Sequence, residues 1–197
     1  MTTREFWKVC KKLANEERLD VLRHVILSPA DEGITVGQIA DVVRLGQPAT
    51  SIYLAQLQND CGLVSSSREG RYCLYRAKPD SSDERLAMLS AALWKYFAGE
   101  SVGFVFINGR RPSPPPFLAI LPALANKDRV KVLRAVRDGK CTNKASVMAA
   151  TGMTELNVRR HLECLFECGL AEGGFSGFSW KEPTDSLSKL FISLSLA

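Results

Sequence analysis

The feature that most constrains the fold is an eleven-residue segment that occurs twice. Leu13–Arg23 reads LANEERLDVLR and Leu124–Arg134 reads LANKDRVKVLR, so seven of the eleven positions are identical. A shorter pair follows each copy in the same order, with DCGLV at Asp60–Val64 and ECGLA at Glu167–Ala171. Two repeated segments in the same order predict the internal duplication of a whole domain.

Length and composition are those of an ordinary globular protein. The 197 residues suit one large or two small domains, and 46% hydrophobic with 24% charged residues is a typical balance. The apolar runs are far shorter than the roughly 20 residues of a membrane helix, and the N-terminal residues lack the apolar core of a signal peptide. We therefore expect a cytoplasmic protein without a membrane partner.

The net charge of +5 is mild and unevenly distributed. Residues 1–80 and 81–116 each carry one net positive charge, whereas residues 117–197 carry three. Such a balance permits nucleic-acid binding but does not require it.

Copy one has the pattern of several helices followed by a hairpin. Apolar residues at helical spacing predict a first helix over Arg4–Ala14. Asn15 and Thr35 are predicted to cap the second and third helices, and the fourth begins with a proline and spans Pro48–Asp60. Two short runs on either side of Glu69-Gly70 predict a hairpin. The side chains predicted to be buried in the fourth helix are Ile52, Leu54 and Leu57.

Copy two repeats this order in fewer residues. Asn126 is predicted to cap its first repeated helix, and either Thr142 or Asn143 caps the next. The following helix is predicted over Leu156–Cys168, with Val158, Leu162 and Leu165 facing inward. A compact second hairpin is predicted over Phe175–Lys181.

Each copy ends in an amphipathic helix, and a proline-rich segment separates the copies. The terminal helices are predicted over Ser82–Ala98 and Asp185–Leu196. Within the separating segment, the apolar run Val102–Ile107 is a candidate extra strand, and the prolines that follow favour an extended chain. The predicted boundaries are 1–98 for the first domain, 99–116 for the linker and 117–197 for the second domain.

These segments together resemble the winged helix-turn-helix of the ArsR (arsenic-repressor-like) family of bacterial regulators. In copy one the resemblance runs through LANEERLDVLR, TVGQIADVV, LGQPATSIYL, CGLV and REGRYCLYR. In copy two it runs through LANKDRVKVLR and TGMTELNVRRHLECLFECGLA, followed by the shortened wing. The expected fold is therefore mainly α with small β-hairpin wings, as tandem duplicated winged helix-turn-helix domains.

The resemblance implies a DNA-binding transcriptional regulator, and specifically a repressor, with double-stranded DNA as its partner. Family members form homodimers through terminal helices, which would here be Ser82–Ala98 or Asp185–Leu196. Because a helix-turn-helix dimer matches its twofold symmetry to two half-sites, two copies in one chain could also supply both halves as a pseudo-dimer.

The candidate DNA-binding residues lie on the two recognition helices and on the first wing. Arginine can read guanine and asparagine can read adenine, whereas exposed arginines elsewhere contact phosphate. The recognition helix of copy one has no Lys or Arg, and its polar groups are uncharged. The candidates are Thr50, Ser51, Tyr53, Gln56, Arg68, Arg71, Asn157, Arg159 and Arg160.

A non-enzymatic protein-interaction module built on winged-helix scaffolds is the alternative. The Pro48–Asp60 helix, which has no Lys or Arg, and the apolar Val102–Ile107 run favour it, since fold alone does not fix function. In that case one or both copies would have lost DNA binding and kept a structural or partner-binding role.

The chain shows none of the motifs expected of an enzyme or a metal site. It has no phosphate-binding loop, no GxSxG, no HExxH and only two histidines. His161, Cys164 and Cys168 share one side of a helix, but copy one has no matching set, because Leu54 stands in the position of His161 when the CGL segments are aligned. The family's paired-cysteine motif is also replaced, by Val36–Ala40. We therefore expect no enzyme, no metal and no cofactor.

Overall fold

The structure is a computed structural model that describes residues 3–29, 32–78, 81–99 and 115–196. Across these residues it is mainly helical with small antiparallel sheets, as expected of a winged helix-turn-helix protein. The described residues form two compact units, 12–99 and 3–11 with 115–196. The predicted strand Val102–Ile107 lies outside the described residues. No helix in the described ranges is long and apolar enough to cross a membrane.

The first unit has three helices, a three-stranded sheet and a final helix. Its sheet has the order β1-β3-β2, and all of its strands are antiparallel. The elements are α2 (Glu16–Leu27), β1 (Ile34–Thr35), α3 (Val36–Val43), α4 (Gln47–Asn59), β2 (Val64–Glu69), β3 (Tyr72–Ala77) and α5 (Glu84–Gly99). The hairpin of β2 and β3 lies where it was predicted, whereas the two-residue β1 was not predicted.

Helix starts in the first unit follow from local capping chemistry. The Asn15 side chain accepts a hydrogen bond of 2.8 Å from the Arg18 amide and so starts α2. Thr35 and Gln38 form a capping box that starts α3. Both caps were predicted, because a short polar side chain before an apolar helical run is a local signal.

The core of the first unit lies between α2, α3 and α4, with α5 packed against α2. The buried stripe of α4 is Thr50, Leu54 and Leu57. The prediction that Ile52 faces inward was wrong, since its side chain is 56% exposed. Thr50 takes the inward position one half-turn away and is fully buried. A threonine thus fills a core position, and an isoleucine lies on the outer face.

The second unit contains the counterpart elements and two additional helical segments. Residues 3–11 of α1 (Thr3–Leu13) belong to this unit rather than to residues 12–99. The remaining elements are α6 (Pro116–Leu124), α7 (Lys127–Arg137), α8 (Lys144–Thr151), α9 (Glu155–Glu167), β4 (Ala171–Gly174), β5 (Gly177–Trp180) and α10 (Ser186–Leu196).

Capping also sets the helix ends of the second unit. Asn126 accepts hydrogen bonds from the amides of Asp128 and Arg129 and starts α7. Of the two residues predicted to cap α8, Asn143 is the cap, with its side chain bonded to the Ser146 amide at 2.9 Å. Gly152 ends α8 in the left-handed region at φ +68°.

Three phenylalanines hold the helical base of the second unit together. The Phe191 ring of α10 stacks on Phe117 of α6 at a centroid distance of 5.5 Å. It also contacts Phe6 of α1 at 6.3 Å. All three side chains are fully buried. Phe6 and Phe117 each lie seven positions before the leucine of a repeated LAN segment. Both repeats thus place this aromatic residue in the same core.

Candidate nucleic-acid interface

The strongest candidate surface is the outer face of α9. Val158, Leu162 and Leu165 are fully buried and pack this helix against α7 and α8. Because helical positions advance by about 100° per residue, the side of the helix opposite this buried stripe points outward. The exposed polar side chains of this face are Asn157, Arg159 and Arg160. The predicted inward and outward sides of the helix are therefore both observed.

The two arginines of α9 differ in how firmly they are held. Arg159 forms an ion pair of 2.9 Å with Glu163, one turn along the helix, and its guanidinium lies 5.6 Å from the centre of the Phe175 ring. Arg160 is exposed and forms no ion pair with the described residues. Arg160 is therefore the more available cation, and Arg159 is aligned by two contacts.

The first turn of α9 is anchored to α8 by an ion pair. Lys144 Nζ donates a hydrogen bond to the Glu155 carboxylate. This hydrogen bond and the charge of Lys144 lower the pKa of Glu155, which keeps its carboxylate ionised. The one acidic side chain in this first turn thus has a partner cation beside the exposed Asn157.

The predicted contact residues of α4 are mostly buried or half-buried, whereas those of α9 are exposed. The prediction that Thr50 is available to contact DNA was wrong. Its side chain is buried, and its hydroxyl donates to the Gly46 carbonyl at 3.2 Å, so it is not presented to solvent. Tyr53 is half-buried and donates its hydroxyl to Glu17 at 2.7 Å. Gln56 is half-buried, and its Oε1 is enclosed. Ser51 is the exposed member of this predicted set.

Burial reveals a register between α4 and α9 that the sequence motifs conceal. The stripes Thr50–Leu54–Leu57 and Val158–Leu162–Leu165 have the same spacing. Gly62 follows the last buried residue of its stripe, Leu57, by five positions, whereas Gly169 follows Leu165 by four. An alignment on the CGL segments therefore places α4 one residue out of register with α9. The structural counterpart of His161 is therefore Tyr53, not Leu54 as the motif alignment indicated.

The same register places Ile52 at the position of Arg160. The sequence did not indicate that Ile52 lies at the surface, because an isoleucine close to Leu54 and Leu57 suggests a core position. The signal that was available is the spacing of four and three residues, which Thr50, Leu54 and Leu57 share with copy two. The first unit thus presents an exposed apolar side chain where the second presents an arginine.

The first wing carries two exposed arginines near its tip. Arg68 lies on β2 opposite Cys73, and Arg71 follows Gly70, which turns the chain at φ +61°. The Arg71 guanidinium lies 5.0 Å from the centre of the Tyr72 ring. Arg76 is held within the hairpin by Glu69 at 2.8 Å and by Ser67, so it braces the wing. Arg68 and Arg71 remain at the surface.

A thiol pair lies on the last turn of α9. The Sγ atoms of Cys164 and Cys168 are 3.8 Å apart, and either thiol can donate to the other. This hydrogen bond lowers the pKa of Cys164 to about 7 and raises that of Cys168. Burial lowers the pKa of His161. In the described ranges no three His, Cys, Asp or Glu side chains converge as metal ligands.

A comparison with known protein families finds one match, which lies in the second unit. Residues 126–172 match the family model described as bacterial regulatory protein, arsR family, which covers α7, α8 and α9 and reaches the start of β4. No curated protein and no solved structure matches the chain. The arsR match lies within the second unit and does not extend into residues 12–99. Residues 126–172 are therefore similar to the helix-turn-helix of a family of DNA-binding regulators, which is not a family of enzymes.

Proposed function

We propose that this protein regulates transcription by inserting α9 into the major groove of duplex DNA. The observation that carries the proposal is the exposed Asn157, Arg159 and Arg160 face on the helix that follows the turn of an arsR-like helix-turn-helix. In such a motif the second helix enters the major groove. Arg160 is suited to contact a guanine edge, and Asn157 is suited to contact an adenine edge.

The first unit is proposed to contribute phosphate contacts. Arg68 and Arg71 are exposed near the tip of its wing, and arginine on a wing can neutralise phosphate without reading sequence. Ser51 is the remaining exposed polar candidate on α4. Because Ile52 replaces a cation on that helix, the two copies would contact unlike DNA sequences.

The finer proposal is a repressor with tandem duplicated winged helix-turn-helix domains at 1–98 and 117–197, joined by the linker 99–116. The sequence repeat and the common element order within each unit support the duplication. The two copies would serve as a pseudo-dimer, or whole chains would pair through the Ser82–Ala98 or Asp185–Leu196 helices.

DNA selection followed by fluorescence anisotropy tests the proposal. The full chain selects binding sequences from a random duplex pool, and affinity for the selected duplex is measured over a range of salt concentrations. We expect Arg160→Ala to weaken binding about tenfold or more, as loss of a bidentate base contact does. Arg137→Ala removes an exposed arginine from the end of α7, outside α9, the first wing and the proposed pairing helices, and is the matched control, with an affinity close to that of the unaltered chain.

The salt dependence separates base contacts from phosphate contacts. Arg71→Ala is expected to weaken binding to all duplexes alike and to lower the slope of log affinity against log salt by about 1. Unchanged affinity in both Arg159→Ala and Arg160→Ala would contradict the assignment of α9 as the reading helix.

A protein-interaction module remains the second candidate, and one observation favours it. Ile52 is 56% exposed on a helix that carries no Lys or Arg, which suits an apolar partner surface better than a DNA surface. A gel shift with random duplex DNA at low and high salt distinguishes the two functions. Absence of salt-sensitive binding at micromolar protein would favour the interaction module.

A further inference from the structure

The second unit contains an open cleft that lies outside the proposed reading helix. It is lined by residues of α7, α8, the end of α10 and Trp7 of α1, and it has a volume of about 1060 Å³. No residue of α9 lines it. Pockets for small organic ligands occupy about 300–1000 Å³, so this cleft is large enough to take such a molecule.

Positive charge dominates the walls of the cleft. Its cations are Lys127, Lys131, Arg134 and Lys140, and Asp138 is the single carboxylate among its lining residues. Asp138 lies 3.3 Å from Lys140 and so offsets one of the four cations. Lys131 also forms an ion pair with Asp128 at 2.9 Å, but exposed pairs of this kind are weak and open readily for a stronger anion.

The first unit shows that this charge is not required by the fold. Glu16 and Asp20 of α2 occupy the repeat positions of Lys127 and Lys131. Arg23, the counterpart of Arg134, is buried, whereas Arg134 is exposed and donates to the Leu196 carbonyl. Seven of eleven residues are shared, yet two charged positions, those of Lys127 and Lys131, are reversed in sign. The positive charge of Lys127 and Lys131 is therefore specific to copy two among the described residues of the repeat.

We propose that this cleft binds a small organic anion whose apolar body lies against Trp7 and Val130. Lys127, Lys131 and Arg134 would bind its carboxylate or phosphate group by charge-assisted hydrogen bonds. This site is separate from the proposed DNA contacts of α9, so it stands or fails independently of DNA binding.

Calorimetry with a charged probe and its neutral isostere tests the proposal. The full chain is titrated with 2-naphthoate and with 2-naphthamide, which share one ring system and differ in charge. We expect saturable binding of 2-naphthoate, weaker at high salt, and at least about tenfold weaker binding of the amide. Lys131→Gln should weaken 2-naphthoate about tenfold, whereas Lys189→Gln, outside the cleft, should leave its Kd unchanged.

The proposal is overturned if neither probe binds, if both bind equally, or if Lys189→Gln weakens binding as much as Lys131→Gln. It is also overturned if only duplex DNA binds in a manner sensitive to Lys127→Gln and Lys131→Gln, since the cleft would then be a phosphate-contacting surface.

Discussion

The Tyr53 hydroxyl donates a hydrogen bond of 2.7 Å to the Glu17 carboxylate, which joins α4 to α2. This hydrogen bond raises the pKa of Tyr53, because the phenol would lose a charged acceptor on ionisation. The Arg18 guanidinium lies 5.1 Å from the centre of the same ring. Tyr53 therefore fixes the position of a helix whose role was predicted to be contact with DNA.

We expect Tyr53→Phe to lower the free energy of unfolding of the first unit by about 1 kcal/mol, the usual loss for one partly exposed hydrogen bond. The ring and its contact with Arg18 are kept. Tyr72→Phe is the matched control, because Tyr72 is 51% exposed and its ring contact with Arg71 also survives. Urea denaturation followed by circular dichroism measures both. Equal loss in the two variants would contradict the role of the Glu17 bond.

The second wing depends on one glycine. Gly173 has φ +110°, and a Cβ at this position would lie 2.5 Å from the Gly177 carbonyl oxygen across the hairpin. We expect Gly173→Ala to destabilise the second unit by about 2–3 kcal/mol. Gly174→Ala should change stability by less than about 0.5 kcal/mol, because the space around Gly174 is open. Thermal denaturation of the two variants checks the contrast, and similar Tm values for both would refute it.

Cys164 should be the most reactive of the part-buried and buried thiols near neutral pH. Its pKa is about 7, so its thiolate fraction rises as the pH increases through 7. We expect iodoacetamide to modify Cys164 with that midpoint, whereas burial raises the pKa of Cys61 to about 12 and keeps it unmodified. Mass spectrometry of the digested chain measures each site.

Cys168→Ala is the decisive variant for this pair, because it removes the hydrogen bond that lowers the pKa of Cys164. The midpoint of Cys164 modification should then move to higher pH. A midpoint that stays near neutral pH in Cys168→Ala would show that the thiol pair is not its cause.

Two histidines should make stability fall in mild acid. Burial lowers the pKa of both His24 and His161, and the charges of Arg23 and Arg129 lower it further. The unfolded chain therefore binds more protons than the folded chain near pH 6. The stability contribution is fully present above the ordinary histidine pKa of about 6.5 and is lost as the pH falls through the lowered values.

Urea denaturation between about pH 5 and 7 tests this dependence. The chain has two histidines, so His24→Gln combined with His161→Gln removes every imidazole. We expect the combined variant to show a flatter dependence of unfolding free energy on pH in this interval. An unaltered slope would assign the effect to other groups.

Local signals in the sequence were sufficient for most helix starts. Asn15, Thr35 and Asn126 each cap a helix as predicted, because capping depends on one short side chain and the amides that follow it. The outward face of α9 was also predictable, since its buried residues repeat at helical spacing. α6 was not predicted: the residues after Pro116 were assigned to the second domain, but no helix was assigned to them.

The α4 assignment failed because hydrophobicity and burial disagree there. Ile52 is exposed and Thr50 is buried, since packing against α2 and α3 is set by spacing along the helix rather than by side-chain type. Aligning the two copies on their CGL segments hid this difference, because that alignment shifts α4 by one residue relative to α9. The basic cleft likewise depends on residues of α1, α7 and α10, and their approach is a tertiary property that no local pattern contains.

The packing of Phe6 and Phe117 against Phe191 has a consequence for the order of folding. The second unit is discontinuous in sequence, because α1 is synthesised before residues 12–99 and its ring partner, Phe191 of α10, is synthesised after them. Contacts of such high sequence separation form slowly, since a long loop must close before they form. During translation Phe6 of α1 would therefore remain without its contact to Phe191 until α10 emerges, and no single proteolytic cut could release the complete second unit.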